Sequence, residues 1–382
     1  MSYIVISLGL YIVIMVAFSY LGFKKTKNTS DYLLAGKQMH PVVMALSYGA
    51  TFISTSAIVG FGGAAGQFGM GLLWLTVFNI IVGVFIAFVI FGKRTREIGH
   101  RLGTNTMPEF FARRFDAPFI QGYAGILIFL FMPVYASAVL KGIVDYIAGY
   151  VGADFDTVLI IVSVLAAVFV VMGGLKGIMY ADAFQGALMF AGMLFLIIYT
   201  YWLLGGVTPA HAALDGLLSK PGVAEQVAGL TKGGFAGWTH MPVTGTPVWW
   251  NIVTTLVAGV GIGVLAQPQL SVKFMTVKSN RELNRAVLSG GIFILFMTGV
   301  AFTVGALSNV AFYDASGQIS IVAAGSNDSI IPAYIKAFLP EWFGGVFLVV
   351  LMAAGVSTLN ALVHTMGTAL GRDFLKQSLK LK

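Results

Sequence analysis

Residues 50–66 read Ala50-Thr51-Phe52-Ile53-Ser54-Thr55-Ser56, then Ala57-Ile58-Val59, then Gly60-Phe61-Gly62-Gly63-Ala64-Ala65-Gly66. Hydroxyls and four glycines crowd the middle of an apolar stretch, 41–69, that carries no charged residue. Backbone in lipid must satisfy its own hydrogen bonds, so an irregular segment at membrane depth survives only against protein or a water-lined cavity. The stretch therefore reads as a membrane span broken near its middle. A second stretch, 247–270, repeats the theme with Gly259, Gly261 and Gly263 followed by Gln267-Pro268. Its proline lacks an N–H and disfavours helix in the residue before it. Close helix packing through small residues, as with Gly62 and Gly66, is a second reading of the same glycines. A phosphate loop is excluded, because no Gly-Lys-Ser/Thr follows the run.

The composition agrees with a membrane setting. The 382 residues are 58% hydrophobic and 10% charged, with a mean hydropathy of +0.88, against roughly 45–50% and about 25% in soluble domains. A soluble enzyme is excluded, and the absence of cysteine excludes disulfides, thiolate metal sites and a cysteine nucleophile. Nine stretches reach the length of about 20 residues that a spanning helix needs: 2–22, 41–69, 70–92, 118–140, 157–173, 180–205, 247–270, 286–311 and 342–369. Asp182 is the one charged residue inside them. The first stretch lacks the basic start and cleavage pattern of a signal peptide, and Lys24-Lys25 follow it directly, so it reads as a span.

Loop charges give the orientation. With the N-terminus outside, the segments 23–40, 93–117, 174–179, 271–285 and the tail from 370 face the cytoplasm and carry nineteen of the 23 Lys and Arg. Lys141, Lys220, Lys232 and Lys336 remain outside. This is the positive-inside pattern of a multi-pass protein of the cytoplasmic membrane. The net charge of +8 is thus a topology signal and not a nucleic-acid surface. The external loops 206–246 and 312–341 are expected to hold short surface helices.

Interrupted spans at matching places in two halves are the sequence pointer to a transporter with inverted repeats. The ninth span adds Ala353-Ala354-Gly355-Val356-Ser357-Thr358. Two hydroxyls on an apolar helix either bond back to their own carbonyls or help coordinate a small hard cation, for which neutral oxygens replace the water shell. Carbonyls near Ala50 and Ile53, facing Ser357 and Thr358, offer such a set. With no His or carboxylate cluster beside them, sodium fits better than a transition metal. Asp182, at the cytoplasmic start of the sixth span, is either a functional group or an interfacial one with a local partner such as Lys176. His364 reads as a packed or hydrogen-bonded interior residue. His40, His100, His211 and His240 lie in or beside loops without ligand spacing.

Four further stretches carry a resemblance: Asp31-Tyr32-Leu33-Leu34-Ala35-Gly36-Lys37, Thr106-Met107-Pro108-Glu109-Phe110-Phe111-Ala112-Arg113-Arg114-Phe115, Gly173-Gly174-Leu175-Lys176-Gly177 through Asp182 to Gln185, and Ser357-Thr358. In this order they resemble the sodium:solute symporter family, whose members carry proline, pantothenate, sugars, iodide and monocarboxylates. The resemblance implies an all-α, polytopic fold of about nine transmembrane helices with two inverted five-helix repeats, as in the leucine transporter. It implies a leading helix and loop over 1–40, a first repeat over 41–205, an external loop over 206–246, and a second repeat over 247–382 with three of its five helices. It also implies sodium at the carbonyls of Ala50, Ile53 and Ala354 and the hydroxyls of Ser357 and Thr358, with Asp182 on the inner sodium pathway.

Substrate positions depart from the best-known branches. Val260 and Val264 stand where proline carriers have aromatic residues, and Phe52 and Ala57 where sugar carriers have Asn and Gln. Tyr135 matches a tyrosine that contacts substrate in proline carriers. The candidate substrate groups are Ser54, Thr55, Ser56, Asn79, Tyr135, Asn251 and Gln267, a hydrogen-bonding set without charge. The expected function is sodium-coupled symport of a small organic solute (an organic acid, vitamin or amino acid) by alternating access, in contact with membrane lipid, with no cofactor and no enzymatic chemistry. A solute-sensing module and a non-functional fragment of a longer symporter are the alternatives.

Overall fold

The computed structural model describes residues 2–380 and is helical throughout, with no strand among the described residues. Seven helical stretches are long and apolar enough to cross a membrane, and a shorter apolar helix, Pro41–Phe52, joins them. Two of the seven are divided internally. Ser56–Arg101 turns at Gly69 (φ 81°, ψ −164°), and Phe155–Leu203 turns at Gly174 (φ 53°, ψ −170°). Only glycine accepts these dihedrals without strain. A Cβ at Gly69 would also lie 2.3 Å from the Trp238 carbonyl oxygen. Divided at these two turns and counted with Pro41–Phe52 as the start of the second, the described residues form nine successive apolar segments, in the order expected.

Both expected breaks exist, and neither falls on the glycines. The second span runs as Pro41–Phe52, leaves helical geometry at Ile53 (φ −85°, ψ 90°), and resumes through Ser56–Gly60 and Phe61–Phe68. The seventh span runs from Pro247 to Ala266, extends at Gln267 (φ −77°, ψ 111°), and resumes through Pro268–Ser271 and Val272–Thr276. The glycines do the packing. A Cβ on Gly62 would press on Ile331 at 3.0 Å, and one on Gly66 on Ile330 at 3.0 Å and on the Gly305 carbonyl of the eighth span, Asn280–Ser316, at 3.2 Å. One on Gly261 would press on Phe78 at 3.0 Å. The close-packing reading therefore holds for these residues, while the hydroxyl cluster and Gln267-Pro268 mark the breaks.

The ninth span, Glu341–Ser378, forms the axis of the core: 89% of its apolar window is buried, against 22% for the first and fourth spans. Those two peripheral spans expose Ile6, Leu10, Val13, Leu130, Phe131 and Val134, an apolar surface that suits hydrocarbon and not water. The long segments 206–246 and 312–341 do fold into short helices, among them Val207–Gly216 and Asn327–Phe338. Trp238 is buried there and donates from Nε1 to the Gly66 carbonyl at 2.7 Å, which seats the loop on the end of the second span.

At the basic face the recurrent sequence stretches act as caps and ties. Thr106 caps the helix Met107–Arg114 by accepting the Glu109 amide at 3.2 Å, and Glu109 reaches back past the cap to accept the Asn105 amide at 2.9 Å. Arg372, beyond the ninth span's core, bonds Glu109 at 3.1 Å, and Asp373 accepts from Thr106 at 2.8 Å and Gln121 at 2.7 Å. Lys176, entertained above as a partner of Asp182, instead bonds Asp31 at 3.1 Å. His364 bonds the Tyr32 carbonyl at 3.1 Å, as an interior residue with a backbone partner.

The Lys27 amide, ahead of the Lys176 ammonium, holds the buried Asp31 carboxyl below the usual carboxylate range. A depressed pKa contributes stability that is complete above the ordinary value and lost as pH falls through the folded one. Asp31→Asn should therefore lower thermal stability at neutral pH, and wild type and variant should converge as pH drops below about 4. Melts of the detergent-solubilised protein across that range test this, and a gap that persists at low pH would contradict it.

Candidate cation and solute sites

Ending a helix at Ile53 leaves the carbonyls of its last turn without intrahelical amides. The ninth span supplies the missing donors. Ser357 donates from Oγ to the Ala50 carbonyl at 2.9 Å, and Thr358 donates from Oγ1 to the Thr51 carbonyl at 2.9 Å. Each hydroxyl also lies 3.1 Å from the Ala354 carbonyl of its own helix. The back-bonding expected of this pair is thus present, and the same hydroxyls also reach across to the break. All of Ala50, Ala354, Ser357 and Thr358 are shielded from solvent. Ile53 is buried beside them, but the carbonyl that meets Thr358 is that of Thr51, a difference of two positions from the expected set.

The donor set is entirely neutral oxygen in a dry site. Such ligands suit a hard monovalent cation, because they replace hydration without demanding a fixed charge. They do not suit a soft or strongly Lewis-acidic metal, which selects imidazole or thiolate.

Asp182 is fully buried, two turns beyond Gly174, and its charged partner is Lys273 and not Lys176. Its Oδ2 accepts from Ser47 at 2.8 Å, from Thr51 at 3.3 Å and from Lys273 at 3.1 Å. Lys273 belongs to a segment whose sequence reads as cytoplasmic loop, yet it is 0% exposed. Helix resumes at Pro268 and carries the lysine back into the protein. The signal for it lies in elementary electrostatics: a carboxylate at membrane depth needs a counter-charge, and Lys273 is the basic residue nearest the seventh-span break. Thr51 joins the two sites, with its carbonyl on Thr358 and its hydroxyl between Lys273 and Asp182.

Beside the two breaks lies a cavity of about 280 Å³. Ser54, Ser56, Asn79, Tyr135 and Gln267 line it, joined by Thr298, which sequence reasoning missed. Phe52, Phe61, Phe302 and Val260 make its apolar walls. Asn79 is 2% exposed, and its Oδ1 has no hydrogen-bond partner among the described residues, so the amide offers a free polar handle. Two expected residues fall elsewhere. Thr55 bonds the Val139 carbonyl at 3.3 Å and lines a separate cleft with Lys141, Asp145 and Asp328. Asn251 lies outside both spaces, four turns before the Gln267 break, because the seventh span stays helical until Ala266. Lys141 pairs with Asp145, which offsets its charge at the cleft.

The comparisons with known proteins bear on this arrangement. The osmoregulated proline transporter OpuE of Bacillus subtilis (strain 168) is 25% identical over 382 residues, covering 99% of this chain and 72% of that one. The high-affinity proline transporter PutP of the same organism is 25% identical over 370 residues, covering 96% and 72%. The sodium/proline symporter of Staphylococcus aureus (strain JH9) is 25% identical over 375 residues, covering 97% and 68%. Among solved structures, a Na+-coupled sialic acid symporter in its substrate-bound outward-open state superposes with a TM-score of 0.78 at 16% identity, over 98% of this chain and 75% of that one. That likeness supports the leucine-transporter-like fold. The sodium:solute symporter family model matches residues 32–382, and the chain belongs to that family.

Proposed function

We propose that this chain couples inward movement of sodium to uptake of a small, uncharged or zwitterionic organic solute by alternating access. The observation that carries the reading is the junction of the broken second span with the ninth: the buried hydroxyls of Ser357 and Thr358 each lie within hydrogen-bond distance of the Ala354 carbonyl and of a carbonyl at the break, Ala50 for one and Thr51 for the other. In this reading sodium takes over the oxygens that the hydroxyl protons now bridge, with the Ile53 carbonyl as a further candidate, and locks the break against the ninth span. Solute binds in the adjoining cavity at Ser54, Ser56, Asn79, Tyr135 and Gln267, with Thr298 added, and its binding permits closure. A ligand shifts such an equilibrium only through its differential affinity for the two states. Sharing the broken strand of backbone between ion and solute is what gives each a stake in the other's state.

The first repeat is assigned to 41–205 and the portion of the second to 247–382, so that the breaks at Ile53 and Gln267 are equivalent. The excess of basic residues on one set of loops supports a cytoplasmic membrane location with the N-terminus outside. The proline-carrying relatives support an amino acid as solute, whereas Val260 in the cavity wall departs from their aromatic residues. One charge crossing about 100 mV yields roughly 2.3 kcal/mol, and a tenfold sodium gradient adds about 1.4 kcal/mol. Their sum of about 3.7 kcal/mol sustains roughly 500-fold accumulation of a neutral solute.

Uptake into proteoliposomes of a radiolabelled panel (proline, other amino acids, pantothenate, short monocarboxylates and a sugar) tests the reading. Accumulation should require an inward sodium gradient. Ser357→Ala with Thr358→Ala should raise the sodium concentration for half-maximal uptake at least about tenfold, the loss of about 1.4 kcal/mol, while protein abundance changes little. Unaltered sodium dependence would contradict the cation site. Asn79→Leu should weaken solute affinity by about 1–3 kcal/mol and leave sodium binding measured without solute unchanged. A loss of both together would contradict the separation of the sites.

A further inference from the structure

We propose that the Lys273 ammonium is a tethered cation, filling an oxygen cage at Asp182 that would otherwise take a second sodium, so that the transporter carries a single coupling ion. This rests on the sodium reading above and extends it to stoichiometry.

Four oxygens surround Lys273 Nζ: the Ser47 carbonyl at 2.8 Å, Ser47 Oγ at 2.8 Å, Thr51 Oγ1 at 2.5 Å and Asp182 Oδ2 at 3.1 Å. An ammonium has three protons to donate. A fourth close oxygen is surplus to its hydrogen bonding and is the mark of a shell built around a cation. The shell is sealed, since Lys273, Asp182, Ser47 and Thr51 are each at most 1% exposed. Asp182 retains a second oxygen, Oδ1, that is buried without a partner among the described residues. Carbonyl, hydroxyls and a carboxylate are the hard oxygen ligands that a small cation selects.

The cage also shares an edge with the proposed sodium site. Ser47 and Thr51 are one turn apart on the helix Pro41–Phe52, and Thr51 passes its carbonyl to Thr358 on the other side. Charge accounting follows from this adjacency. With Lys273 in place the pair is neutral, and one sodium arriving at Ala50, Ser357 and Thr358 adds the single charge that the membrane potential drives. Without the lysine, the carboxylate would be left with only the hydroxyls of Ser47 and Thr51, and burying it without a counter-charge is prohibitive. A mobile cation would then be drawn in. The lysine comes from the half-helix after the Gln267 break, so this fixed charge also ties the seventh span to the second.

Equilibrium binding of 22Na+ to the purified full chain, without solute, tests the proposal alongside thermal melts in sodium and in choline chloride. Wild type should bind one sodium per chain with a non-cooperative isotherm. Lys273→Ala should bind two, and its melting temperature should rise with sodium far more steeply than that of wild type. Adding Asp182→Asn to Lys273→Ala should return the count to one. Two sodium ions on wild type, or a folded Lys273→Ala that binds one and melts alike in both salts, would overturn the proposal. Should Lys273→Ala fold in neither salt, Lys273→Met, which keeps the side chain's bulk without its charge, takes its place with the same two outcomes. Failure of the parent reading looks different: the wild-type ion would then survive Ser357→Ala with Thr358→Ala.

Discussion

A helix interrupted inside a membrane exposes carbonyls that lipid cannot satisfy, and the rest of this structure is arranged around that one constraint. The interruption at Ile53 frees the carbonyls of Ala50 and Thr51, and the ninth span answers with Ser357 and Thr358 at 2.9 Å each. Each bond is modest by itself, about 0.5–1.5 kcal/mol net, but an unmade bond in a dry interior costs more than a made one contributes. The polar junction therefore fixes which face of the ninth span meets the second and why that span is so enclosed. A cation site at the same place needs no additional polar groups, only a rotation of the two hydroxyl protons away from the carbonyls so that the same neutral oxygens face an ion.

Thr51 shows how closely the parts are coupled. One residue holds the ninth span through its carbonyl and the Lys273–Asp182 pair through its hydroxyl. Asp182 lies on the sixth span and Lys273 on the resumed half of the seventh, so four spans meet within two turns of one broken helix. Motion at the break is felt by all of them. The caps and ties at the basic face, Asp31 with Lys176 and Glu109 with Arg372, lie away from this junction and hold the loops that flank it.

Much of the architecture was legible because its causes are local. Span lengths follow from apolar runs, and the divisions at Gly69 and Gly174 follow from backbone dihedrals that favour glycine. The pairing of Ser357 and Thr358 with a broken second span was legible too, because hydroxyls and interrupted helix are both rare in lipid and must account for each other. What sequence misjudged was set by tertiary placement. Lys273 looked like a loop charge because hydropathy ends the seventh span at the proline, whereas the chain restarts as helix and turns inward. Asn251 looked like a cavity residue because polarity in a span suggests function, but its depth along the helix puts it above the break. Glycines drew attention to the right spans for a second reason, close packing, and the break itself needed only residues whose backbone another helix could satisfy.

Hydrogen–deuterium exchange of the purified chain in sodium and in choline chloride tests the central claim most directly, since it reads the backbone at the break itself. If sodium locks the second span to the ninth, amides in 49–58 and 354–360 should gain protection in sodium while the capped loops at 26–40 and 104–115 exchange alike in both salts. Equal exchange at the break in the two salts would contradict the account.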